Sequence, residues 1–130
     1  MQLVVLGLNH KTVPVDIREQ FAISPDSARS GLIHLDEQEG IEEAVVLSTC
    51  NRTEIYAVLK DETAKETLYD FFLALSGNSE AKDEYFFYFE GEACIRHLFE
   101  VVSGLDSMVS GESQIQNQIK TPYKMALEQK

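Results

Sequence analysis

Two apolar runs separated by a short polar segment constrain the fold of this chain most. The runs at 44–47 and 55–59 are rich in aliphatic residues and predict two strands, and the polar segment between them predicts a tight connection at a sheet edge. Cys50 lies in this polar segment, whereas an unpaired structural cysteine usually packs inside an apolar run as a small hydrophobe. We therefore interpret Cys50 as a nucleophile presented at the end of a strand.

The neighbours of Cys50 suit thiol chemistry. A guanidinium as close in sequence as that of Arg52 favours the thiolate, which is the reactive form, and its planar fork matches a carboxylate. Backbone N–H groups or the Asn51 amide are candidate oxyanion donors. A thioester formed here would accept hydride more readily than an oxyester, because sulfur donates less resonance to the carbonyl. The alternative is an ordinary hairpin with a half-exposed cysteine and a surface pair between Arg52 and Glu54.

The order of predicted elements gives the fold class. A strand at 3–8 precedes a helix that begins with Ser24 as its N-cap, carries apolar residues as far as Leu35 and ends near Gly40. After the two strands around Cys50 come a helix at 61–75 and an aromatic strand at 85–89, which we take as core. The order β, α, β, β, α, β is typical of an α+β, ferredoxin-like split βαβ fold, with an antiparallel sheet and helices on one face.

Two further groups carry candidate chemistry. His97 lies in a helix at 91–103 and would serve as a general acid or base or would orient a substrate; the alternative is a packed histidine capped by a carbonyl. Five residues of that helix are expected to face inward: Cys94, Ile95, Leu98, Val101 and Val102. The polar side chains from Glu112 to Gln118 could bind an amino-acid backbone or a ribose, or could simply cap a helix and face solvent.

Composition limits the setting and the partners. The chain has 130 residues, enough for one domain with a real core, and a net charge of -11, which repels phosphate backbones. Contacts with a nucleic acid would therefore be local or come from other domains. The chain contains no apolar run of about 18 residues and no basic leader, so we expect a cytoplasmic protein that binds no membrane. No G-x-G-x-x-G follows a strand, and no dinucleotide-binding unit is predicted.

Several segments, taken together and in order, resemble the glutamyl-tRNA reductase family. They are GLNHKTVPV at 7–15, RE at 18–19, LSTCNRTEIY at 47–56, HLF at 97–99, SGLDSMV at 103–109 and GESQI at 111–115. The resemblance implies that Cys50 attacks the aminoacyl ester of glutamyl-tRNA to form a thioester. NADPH then reduces this thioester to glutamate-1-semialdehyde, the first step of tetrapyrrole synthesis.

The same resemblance implies roles for other residues. His97 matches a histidine important for activity. Arg52 would bind the side-chain carboxylate of the glutamate. The remaining substrate-binding positions would be Thr49, Asn51, Ser107, Glu112, Ser113, Gln114 and Gln118.

The resemblance also implies a domain organisation. Residues 1–108 would form the catalytic, glutamyl-tRNA-binding domain and residues 109–130 the start of a connecting helix. The NADPH-binding and dimerisation domains of the family are absent from this chain, so we expect a monomer without the reduction step. The full enzyme would be a homodimer, with glutamate-1-semialdehyde aminomutase as a possible partner. Two other functions remain open: a non-catalytic ferredoxin-like module that binds an amino acid or a partner, and a thiol hydrolase acting on small esters.

Overall fold

The computed structural model describes residues 1–77 and 83–103. These residues form four strands and four helices, in the order β1 Gln2–Asn9, α1 Val15–Gln20, α2 Pro25–Ile33, β2 Ile41–Ser48, β3 Arg52–Leu59, α3 Lys65–Ser76, β4 Phe87–Glu90 and α4 Glu92–Ser103. Single 3₁₀ turns lie at Leu35–Glu37, Glu62–Ala64 and Asp83–Tyr85. Among these residues no helix is long and apolar enough to cross a membrane.

The four strands form one sheet in the order β2-β3-β1-β4, and every neighbouring pair is antiparallel. Helical crossovers join β1 to β2 and β3 to β4, and a tight hairpin joins β2 to β3. This arrangement is the split βαβ topology and confirms the predicted fold class.

One face of the sheet packs on α2 and α3 and forms the main core. Because side chains alternate across a strand, Val4, Leu6 and Leu8 of β1 all point to this face. They join buried residues of β3, α2 and α3, among them Ile55, Leu32, Leu68 and Phe72. This apolar layer is the part of the molecule that stabilises the fold.

The second face of the sheet is covered by α4, so the helices do not all lie on one face. Val101 of α4 packs against Leu47 of β2, and His97 packs against Phe87 of β4. The inward residues of α4 include Cys94 and Val101 as expected, but Ile95 is 43% exposed. His97 also faces the sheet, because the carboxylate of Glu54 on β3 lies opposite its imidazole.

Three elements differ locally from the prediction. The helix expected to reach Gly40 ends at Ile33 and is followed by a 3₁₀ turn at Leu35–Glu37. The helix expected at 61–75 is observed as a 3₁₀ turn at Glu62–Ala64 followed by α3. Such turns are common where α-helices start or end. The aromatic segment also divides: Phe86 packs on the main core, whereas Phe87 and Phe89 lie half-buried on the α4 side.

We expect Ser24→Ala to lower the free energy of unfolding by about 1 kcal/mol, because Ser24 caps α2 by accepting a hydrogen bond from the N–H of Ser27. Ser30→Ala makes the same chemical change inside α2 and should leave stability equal or slightly higher, since alanine is the better helix former. Urea denaturation measures both. Equal losses for the two variants would contradict the capping role.

Candidate active site

The loop that carries Cys50 is tightly bonded to itself. It consists of residues 49–51, between β2 and β3. The N–H of Thr49 donates to the carbonyl of Arg52 at 2.7 Å, and the hydroxyl of Thr49 accepts from the N–H groups of Asn51 and Arg52 at 3.1 and 3.2 Å. These bonds fix the loop while the Cys50 side chain stays exposed. Within the loop, the N–H groups of Thr49 and Asn51 are occupied by these bonds.

A second loop, residues 9–13, lies beside the first. The N–H of His10 donates to the carbonyl of Asn51 at 3.0 Å. Arg18 of α1 joins both loops, because its Nε donates to the carbonyl of Cys50 at 3.3 Å and its Nη1 to the carbonyl of Val13 at 2.9 Å. The guanidinium that contacts the cysteine backbone is therefore that of Arg18, which lies 32 residues away along the chain.

Arg52 points away from solvent into the second face of the sheet. Its Nη1 lies 3.1 Å from Oε2 of Glu54, and both side chains have a relative exposure of 0%. The alternative of a surface pair between these two residues is therefore wrong in its placement: the pair exists, and it is buried beneath α4. Alternation along β3 puts both side chains on the same face.

Glu54 is the centre of a buried polar cluster. The Oε2 atom that pairs with Arg52 also lies 2.9 Å from Nε2 of His97, and Oε1 accepts a hydrogen bond from the hydroxyl of Tyr56 at 2.8 Å. Burial, and then the Glu54 charge, raise the pKa of Tyr56 far above its ordinary value, so this hydroxyl remains a donor at any physiological pH. Glu54 has no predicted functional role in the sequence pattern. The available signal was its position, two residues from Arg52 and two from Tyr56 on one strand.

His97 sits at the floor of an open cleft. It is 7% exposed and lies against the rings of Phe87 and Phe89, with centroids 4.8 and 5.3 Å from its own. Its partner is the Glu54 carboxylate and not the carbonyl expected of a merely packed histidine. The cleft has a volume of about 400 Å³ and lies between the 9–13 loop and α4; it is lined by Asn9, Lys11, Thr12, Phe87, Phe89, Ala93, Arg96, His97 and Glu100.

The structure sorts the predicted site residues into two groups. Thr49, Cys50 and Asn51 share the exposed loop, and Arg52 and His97 meet through Glu54. Ser107, Glu112, Ser113, Gln114, Gln118 and the connecting helix expected at 109–130 lie outside the described residues. Within residues 1–77 and 83–103, no three metal-ligating side chains gather where a metal ion could be bound.

Glu54→Gln should lower the free energy of unfolding by about 3–5 kcal/mol, because it removes the buried negative charge that lies 3.1 Å from Nη1 of Arg52 and 2.9 Å from Nε2 of His97. Glu42→Gln is the matched control. Its carboxylate lies 3.9 Å from Nζ of Lys60, in a pair whose side chains are 42% and 58% exposed, and its loss should cost less than about 1 kcal/mol. Chemical denaturation of both variants measures the difference. Similar losses would show that the Glu54 pair contributes no more than a surface pair.

Alkylation should distinguish the two thiols. Cys94 is buried, and burial followed by the Glu54 charge raises its pKa to about 11, so almost no Cys94 thiolate forms near pH 8. With iodoacetamide at pH 8, the folded chain should gain one adduct, on Cys50, and the denatured chain two. Peptide mass mapping locates the adducts. Fast double labelling of the folded chain would contradict the burial of Cys94.

Comparisons with known proteins agree over nearly the whole chain. Residues 6–130 match the family model described as "Glutamyl-tRNAGlu reductase, N-terminal domain". Proteins named glutamyl-tRNA reductase from Desulforudis audaxviator and Pelobacter propionicus are 43% and 45% identical, over 97% and 98% of this chain. The alignments cover 28% and 30% of those relatives, so this chain spans less than a third of their length.

A solved structure supports the same assignment. The glutamyl-tRNA reductase of Methanopyrus kandleri superposes with a TM-score of 0.75 and 30% sequence identity, over 98% of this chain and 28% of that one. The family model, the relatives and the shared fold agree. This chain therefore belongs to the family of glutamyl-tRNA reductase N-terminal domains.

Proposed function

We propose that this chain carries out the acyl-transfer half of the glutamyl-tRNA reductase reaction, with Cys50 as the nucleophile. The observation that carries the proposal is the position of this thiol. It is exposed at the tip of a loop that is fixed by its own hydrogen bonds. Arg52, the first residue of β3 after this loop, belongs to a buried charged cluster. A flexible surface cysteine would not need such support. A rigid loop lowers the entropy cost of aligning the sulfur with a bound ester.

The Cys50 thiolate attacks the carbonyl carbon of the glutamyl ester, a C–S bond forms, and the bond from carbon to the ribose oxygen breaks. The released ribose oxygen takes up a proton, and the products are a glutamyl thioester and the free tRNA. His97 supplies this proton or orients the ester, with its ring direction set by the bond between Nε2 and Glu54.

Arg52 binds the side-chain carboxylate of the glutamate in this proposal. The planar fork of a guanidinium matches a carboxylate, and the pairing of Arg52 with Glu54 holds this fork on the α4 side of the sheet. Glu54 would then fix the direction in which that fork is presented. Thr49 and Asn51 line the approach to the thiol, and Ser107, Glu112, Ser113, Gln114 and Gln118 are proposed as further substrate contacts.

Reduction of the thioester by NADPH is proposed for the whole enzyme and not for these residues. The described strands pair only antiparallel, and a parallel βαβ unit with a glycine-rich turn is what a dinucleotide site of the usual kind requires. The residues that the structure describes therefore do not fit the cofactor, and no hydride step is assigned to them. The part of the relatives that this chain does not span would provide the cofactor-binding site and the contacts of the homodimer. The product, glutamate-1-semialdehyde, would enter tetrapyrrole synthesis in the cytoplasm, with the aminomutase as its recipient.

Mixing the chain with glutamyl-tRNA in the absence of NADPH should produce a glutamyl adduct on Cys50, detected by intact-protein mass spectrometry. Cys50→Ser should abolish a thioester adduct. Cys94→Ala, which removes the other cysteine, should retain it. An adduct that persists in Cys50→Ser, or that moves to Cys94, would overturn the assignment of the nucleophile.

A small activated ester of glutamate separates the remaining functions. Turnover of that ester without tRNA would favour the thiol hydrolase, because no polynucleotide is then needed. Failure of both substrates to label Cys50 would favour the non-catalytic ferredoxin-like module.

A further inference from the structure

We propose that Arg18 is a positioning residue for Cys50: its guanidinium fastens the Cys50 loop, residues 49–51, to the 9–13 loop and thereby sets the rate at which the thiol is acylated. The inference rests on the proposed acyl transfer for its reaction. Arg18 belongs to the RE segment at 18–19, for which the family resemblance implied no role.

The guanidinium of Arg18 joins two loops that are far apart in the sequence. Its Nε donates to the carbonyl of Cys50 at 3.3 Å, and its Nη1 donates to the carbonyl of Val13 at 2.9 Å. The first acceptor belongs to the same residue as the sulfur, so a shift of this carbonyl also shifts the thiol. Because a guanidinium is planar and rigid, its two donors hold the two carbonyls at a set separation.

The 9–13 loop gives this clamp a firm support. The carbonyl of Asn9 accepts hydrogen bonds from the N–H groups of Thr12 and Val13, both at 3.0 Å, and its side-chain Oδ1 accepts one from the N–H of Lys11 at 2.9 Å. Asn9 and Val13 are both buried, and Val13 packs into the main core. Arg18 therefore ties the exposed loop that carries the thiol to a loop that is anchored in the fold.

The other bonds of the Cys50 loop leave this task to Arg18. Its internal bonds through Thr49 set the shape of the loop but not its place on the molecule. Bonds from outside reach two consecutive carbonyls: the N–H of His10 donates to Asn51 and the guanidinium of Arg18 to Cys50. The His10 bond is made by the main chain, so Arg18 is the part of this support that a substitution can remove.

The surroundings of Arg18 keep its guanidinium on the two loops. Within residues 1–77 and 83–103, no carboxylate forms an ion pair with Arg18. The side chain is also half-buried, which limits the competition of water for its donors. The bonds to the two carbonyls are therefore the interactions that its removal would break.

The first test measures acylation of Cys50 by glutamyl-tRNA in the 130-residue chain without NADPH, at several times and tRNA concentrations, by intact-protein mass spectrometry. Arg18→Gln should lower the maximal rate about tenfold to hundredfold, since a small displacement of a reacting atom has an effect of this size. The half-saturating concentration of glutamyl-tRNA should change by less than about threefold, because the lost bonds are not contacts with the substrate.

Two further variants separate the clamp from a simple effect of charge. Arg18→Lys should show a loss similar to that of Arg18→Gln, because an ammonium is a single point and cannot hold both carbonyls in a fork. Arg29→Gln removes an exposed arginine of α2 and should change neither the maximal rate nor the half-saturating concentration.

The second test measures the clamp without any substrate, by NMR relaxation of the backbone amides. The order parameters of Cys50 and Asn51 should be about 0.85 in the wild type, as in rigid backbone, and should fall towards about 0.6 in Arg18→Gln. They should stay at the wild-type value in Arg29→Gln. Unchanged order parameters in Arg18→Gln would overturn the clamp.

Three kinetic results would also overturn the positioning role. Full activity of Arg18→Lys would show that any cation suffices at this position. A raised half-saturating concentration with an unchanged maximal rate in Arg18→Gln would make Arg18 a substrate contact instead. An equal loss in Arg29→Gln would show that the net charge of the chain, and not the position of the guanidinium, controls the rate.

The two tests distinguish failure of this inference from failure of the proposed function. If wild-type Cys50 is never acylated while Arg18→Gln loosens the Cys50 loop, the clamp stands and the acyl transfer fails. If wild-type Cys50 is acylated and Arg18→Gln is acylated at the same rate, the acyl transfer stands and the positioning role fails.

Discussion

The arrangement of the buried polar cluster depends on the hydrogen bonds and ion pairs made by the carboxylate of Glu54. One of its oxygens contacts Arg52 and His97, and the other accepts from Tyr56, all on the face of the sheet that α4 covers. A carboxylate without exposure to water is costly unless it is paired and hydrogen-bonded, and these three contacts meet both conditions. They also connect β3 to α4, so the position of the helix and the direction of both functional side chains are set together.

The two faces of the sheet therefore differ in the kind of contact that stabilises them. The face under α2 and α3 is an apolar core that includes Val4, Ile55 and Phe72, and its stabilisation is hydrophobic and non-directional. The face under α4 combines a few apolar contacts, such as Leu47 with Val101, with a directional polar cluster. Because the apolar layer supplies the hydrophobic core, the second face can hold charged groups in a buried, hydrogen-bonded arrangement.

The electrostatics follow the same division of the molecule. A strongly acidic domain is a poor binder of nucleic acid in general, yet its exposed cations at Lys11 and Arg96 lie by the cleft next to the Cys50 loop. Three cations lie at this end of the sheet: Lys11 from the 9–13 loop, Arg18 from α1 and Arg96 from α4. They are far apart in the sequence, so the fold brings them to the same end.

Patterns within single segments could be predicted from the sequence. The strands around Cys50, the Ser24 cap of α2 and the order of elements all depend on residues a few positions apart, and the structure confirms them. The exposed placement of Cys50 was predictable for the same reason, because a polar segment between two strands must turn at the sheet edge.

Only the tertiary structure decided which side chains meet. Glu54 and His97 are 43 residues apart and Arg18 and Cys50 are 32 apart, and no local periodicity relates such positions. The burial of the Arg52 pair depends on α4 covering the second face, whereas the order of elements had predicted helices on one face only. The sequence by itself thus determined the elements and the place of Cys50, through short-range backbone preferences and side-chain alternation. The contacts around the Cys50 loop and Glu54 required packing of distant segments, because the desolvation and pairing that fix them exist only in the folded sheet.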